Sequence, residues 1–82
     1  MRTITVFRSR RVSDMYLYVD KTEGLHRVPE DLKRRFGPPE VAMELELGPS
    51  RRLARADPVA VLRAIEEVGF YLQLPPRPDE PR

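Results

Sequence analysis

Cysteine is absent from this chain, which excludes disulfide staples, thiolate metal ligands and a cysteine nucleophile together. Stability has to come from packing alone. Histidine occurs once, at His26, and one imidazole without Cys or His companions does not make a typical zinc site. His26 is also the one available base for Ser9, Ser13 and Ser50, none of which stands in a nucleophile-elbow context. No stretch approaches the roughly 18 apolar residues of a membrane span, and Met1 to Arg11 alternates where a signal peptide would be unbroken. The expectation is a cytoplasmic protein without membrane association. Net charge is small as well: fifteen Lys and Arg against thirteen Asp and Glu leave +2. That excess is weak evidence for an anionic partner, although all cations but Lys21 and Lys33 are arginines, whose planar guanidinium suits phosphate and carboxylate.

What is present is enough for one thin core. A chain of 82 residues falls within the size of a single domain, and such a domain hides only about 60% of its unfolded surface. Hydrophobic residues at 40% and charged residues at 34%, arranged in short patterned blocks, make the composition globular rather than disordered.

Period-two alternation marks four strands. Thr3 to Phe7 and Met15 to Val19 are separated by the polar, basic stretch Arg8 to Asp14, short enough for a hairpin loop, which predicts antiparallel pairing. Val41, Met43, Leu45 and Leu47 alternate with Ala42, Glu44, Glu46 and Gly48 as a third strand. Phe70 to Leu74 is the fourth, ended by Pro75 and Pro76. Two helices are punctuated between them. Pro29, the acids Glu30 and Asp31, the bases Lys33 to Arg35 and a stop at Gly37 predict a short helix with Leu32 and Phe36 inward. Asp57 as N-cap, Pro58, the helical spacing of Val61, Leu62, Ile65 and Val68, and Gly69 predict a second. Arg51 to Ala56 stays open between a strand and a helical turn. The fold class is therefore α/β: one small domain over residues 1–76 in the order ββαβαβ, with a mostly antiparallel four-stranded sheet and a proline-rich flexible tail over 77–82.

If all four strands turn their aliphatic residues the same way, Ile4, Val6, Leu17, Leu45 and Leu72 share a core face. Tyr16, Tyr18, Tyr71, Glu44 and Glu46 then share the opposite one. Aromatic rings on an open sheet, rimmed by Arg10, Arg11, Arg51, Arg52 and Arg55, are the elements of a single-stranded RNA surface. The plainer alternative covers that face with a helix or the tail and leaves the tyrosines wet only at their hydroxyls. Glu44 and Glu46, roughly 7 Å apart along the strand, resemble an acid and base pair or a cation site, against a plain solvated face. No catalytic constellation is expected. The leading expectation is a non-catalytic module that binds a protein partner through the tyrosine-bearing sheet edge, the Arg8 to Asp14 hairpin loop or the proline-rich tail, tyrosines and arginines being residue types enriched at interfaces, with single-stranded RNA as the alternative.

The blocks Tyr16-Leu17-Tyr18-Val19, Val28-Pro29-Glu30 through Leu32 to Phe36-Gly37, Arg52-Leu53-Ala54 with Ala56-Asp57, and Gly69 through Pro76 resemble the YcgL domain. The similarity runs from about Thr3 to Pro76, and the last block is its most distinctive part. It implies a small bacterial α/β/α sandwich with helix on each sheet face. It implies no cofactor and no catalytic residue, and genes beside that of ribonuclease D in some members imply an RNA-related setting.

Overall fold

A computed structural model of the chain describes residues 2–48 and 56–75. Its order is β1 (Arg2–Ser9), β2 (Tyr16–Asp20), α1 (Glu30–Phe36), β3 (Pro39–Leu47), α2 (Pro58–Val68) and β4 (Phe70–Gln73). The ββαβαβ order is the expected one. Every strand pair is antiparallel, in a single sheet ordered β3-β1-β2-β4. The two helices pack on opposite faces, as the sandwich requires.

Local chemistry sets the helix ends. Asp57 accepts the Val59 amide at 3.0 Å, and Pro58 follows as a residue that needs no amide partner. At the other end Gly69 turns left-handed, at φ 92°, and its amide returns to the Ala64 and Ile65 carbonyls. α1 is shorter and has no side-chain N-cap, but acids occupy its first turn and bases its last, which favours its dipole.

Register is where the structure departs from the simple reading. Ile4 pairs with Asp20, Val6 with Tyr18 and Arg8 with Tyr16, so the aliphatics of β1 lie on the same face as the tyrosines of β2. Tyr18 in turn pairs with Tyr71, and Tyr16 with Gln73. The four blocks therefore do not share one oily face. Ile4, Val6, Leu47 and Tyr18 form one core with Val61 and Ile65 of α2. Met15, Leu17 and Val19 form another with Val28 and Phe36, joined by Phe70 and Leu72. The physical reason is that period two assigns faces within a strand but not between strands, and a one-residue slip exchanges every side chain. A sheet covered on both sides has no polar face to fix that choice.

β3 shows the same effect within one strand. Val6 pairs with Met43 and Phe7 with Val41, leaving Ala42 as the extra residue of a bulge. Val41 thus turns to the α1 face and Met43 to the α2 face, where alternation alone would put them together.

Candidate functional site

The expected tyrosine surface is covered rather than open. Tyr18 is 7% exposed beneath α2, and its hydroxyl donates to Gln73 Oε1 at 2.8 Å. Its ring meets Tyr71 edge-on, with centroids 5.7 Å apart at 80°. Tyr16 and Tyr71 are half-buried. Three rings in this arrangement do not form a stacking platform for bases.

Tyr16 nevertheless reaches the surface at the hairpin end of the sheet. It lines a shallow polar hollow of about 480 Å³ with Arg8, Ser9, Arg10, Ser13, Asp14 and Glu40. Arg8 donates from Nε to Glu40 Oε1 at 2.6 Å, with a second contact through its terminal nitrogen. Arg10 approaches the other oxygen of the same carboxylate at 3.7 Å. Two exposed guanidinium groups thus share one acid. Such pairs contribute little to stability in water, so the arginines can change partners at small cost.

Arg11 lies on the other side of the loop. It donates to the Arg34 carbonyl at 2.9 Å and rests on Gly37, the glycine that ends α1. Of the expected site residues, Tyr16 and Arg10 come together, Arg11 neighbours them on the same loop, and Tyr18 and Tyr71 belong to the α2 core. Arg51, Arg52 and Arg55, like the tail over 77–82, lie outside the described residues.

One serine organises this corner. Ser9 is buried, and its hydroxyl donates to the Phe36 carbonyl at 2.7 Å while accepting the amides of Arg11 and Val12 at 3.1 and 2.9 Å. It ties the loop to the end of α1 and folds it in the manner of a hydroxyl-bonded turn. Asp14 completes the reversal with φ 63°, a conformation that Asp tolerates better than most residues.

The remaining candidates are dispersed. Glu44 and Glu46 stand exposed on β3, and Glu44 pairs with Lys21 at 3.2 Å. His26 is exposed in the turn before α1, its amide bonded to the Glu23 carbonyl. Among the described residues no three His, Cys, Asp or Glu side chains gather as a metal set. Among them, too, no helix is long and apolar enough to cross a membrane.

A residue that sequence reasoning missed is Arg27. Its guanidinium donates to the Glu67 carbonyl at 3.1 Å and reaches the Ile65 carbonyl at 3.5 Å, capping the end of α2. A Cβ at Gly69 would fall 2.5 Å from the Cβ of Arg27, so this close approach needs glycine as well as the positive φ.

Comparison with known proteins agrees with the motif blocks. A family model described as the YcgL domain matches residues 4–76. A YcgL domain-containing protein of Pseudomonas aeruginosa is 52% identical over 79 residues, covering 96% of this chain and 81% of that protein. Similar proteins of that description occur in Hahella chejuensis, 47% identical over 96% of this chain and 74% of its own, and in Cellvibrio japonicus, 51% identical over 88% and 74%.

Proposed function

The chain belongs to the YcgL domain family, and from that membership and the geometry of the hairpin corner we propose that it is a cytoplasmic, non-catalytic protein-interaction module. The observation that carries the reading is the sharing of Glu40 by Arg8 and Arg10 beside Tyr16. Two solvent-facing guanidinium groups with one carboxylate between them offer a protein acid a bidentate site, and the tyrosine adds an edge of apolar area. Acidic surface on the partner is the matching chemistry. Burial of Tyr18 favours this over single-stranded RNA, because base stacking needs accessible ring faces.

The experiment is affinity capture from the cytosol of a bacterium that carries the gene, with wild-type protein and the Arg8→Glu/Arg10→Glu double variant side by side. A stoichiometric protein that binds the wild type, weakens with salt and is lost with charge reversal supports the proposal. Equal recovery on both baits, or recovery of nucleic acid in place of protein, rejects it.

A further inference from the structure

The α1 face contains a second feature that the protein-binding reading does not use. Leu17 of β2, Leu25 of the following turn, Phe36 of α1, and Gly37 and Pro39 after it surround a partly enclosed cavity of about 130 Å³, with Lys33 in its wall. That volume approaches the roughly 150 Å³ of an apolar cavity known to hold benzene. The cavity lies at the C-terminal end of α1, which has seven residues. One fully buried side chain, Phe36, anchors it, and the helix stops before it can roof the sheet between Leu17 and Pro39.

Two cations stand near the cavity, Lys33 in the wall and Arg11 beside Gly37. Lys33 contributes to the wall, and its ammonium pairs with Glu30 at 3.0 Å, an acid whose side chain is 78% exposed. An ion pair this open is easily exchanged. Across Gly37 lies Arg11, whose Nε would stand 3.3 Å from a Cβ at that glycine. The Arg11 guanidinium donates to the Arg34 carbonyl. The end of a helix normally repels an anion through its free carbonyls. Here those of Lys33, Arg34 and Phe36 already accept from the Gly37 amide, Arg11 and Ser9.

We propose that this cavity is a binding site for a small carboxylic acid, with a phenyl-sized ring or branched chain seated against Leu17, Leu25 and Phe36 and the carboxylate held by Arg11 and Lys33. Burial of the apolar body supplies the attraction, and the two cations select the acid over neutral or basic molecules of the same shape. The site is separate from the Arg8 and Arg10 hollow, so it stands or falls independently of protein capture.

Sodium benzoate is the probe, titrated into isotopically labelled protein while amide resonances are followed. Saturable shifts confined to the neighbourhood of Leu17, Leu25, Lys33 and Gly37 are expected, with acetate and benzylamine each at least about tenfold weaker. Arg11→Gln/Lys33→Gln, two substitutions at accessible positions, should lower benzoate affinity at least about tenfold while the remaining spectrum stays that of the folded protein. Non-saturating shifts overturn the assignment. So does acetate binding as well as benzoate, which removes the cavity from the account, or an unchanged affinity in the double variant, which removes the cations.

Discussion

The two faces of this sheet are closed in different ways. On one side α2, with eleven residues, an aspartate cap, a left-handed glycine and Arg27 over its last carbonyls, lies across the sheet and buries even Tyr18. On the other, α1 has seven residues and no side-chain cap, and the two loops that precede the helix complete the cover with Val12, Leu25 and Val28. The well-covered face spends its polar atoms on itself, as in the bond from Tyr18 to Gln73. The thinly covered face keeps the cavity beside Phe36, with Arg11 near it at Gly37.

The sharpest way to break this comparison is to remove the anchor of the thin layer. Phe36→Ala merges the vacated volume with the adjoining cavity and should cost about 3–5 kcal/mol, read by urea denaturation. Near wild-type stability would mean that the α1 face is not a packed core at all. A smaller effect tests the other side. Tyr18→Phe leaves Gln73 Oε1 buried without that donor and should cost about 1–3 kcal/mol, whereas Tyr16→Phe, at the wet edge, should stay within about 0.5 kcal/mol. Equal costs for the two would contradict the division between a sealed and an open tyrosine. Smallest is Asp57→Ala, which removes the α2 cap and should cost about 1 kcal/mol in the same measurement. No loss there would mean that α2 is held entirely by its packing.

Much of the architecture was legible because its signals are local. Asp57-Pro58 and Gly69 delimit α2, and Pro29 and Gly37 delimit α1 to within one residue, since capping and breaking depend on immediate neighbours. Alternation found all four strands. It did not find that Val6 faces with Tyr18 or that Ala42 bulges, because both depend on how one strand meets another. The candidate site divides in the same way. Tyr16 and Arg10 sit at one accessible corner, while Tyr18 belongs to the core with the half-buried Tyr71 paired against it. The structural roles of Ser9 and Arg27 escaped notice because the carbonyls they donate to lie 27 to 40 residues away along the chain. Nothing in a lone serine or arginine announces a distant carbonyl.

Arg27 has a consequence for how the molecule comes apart. It belongs to the turn between β2 and α1, which supplies Leu25 and Val28 to one layer, yet its guanidinium grips the end of the helix that forms the other. Two half-cores divided by a sheet could melt one after the other. This clasp around the sheet makes loosening either layer strain its opposite, so heating should produce a single cooperative transition rather than a stepwise one.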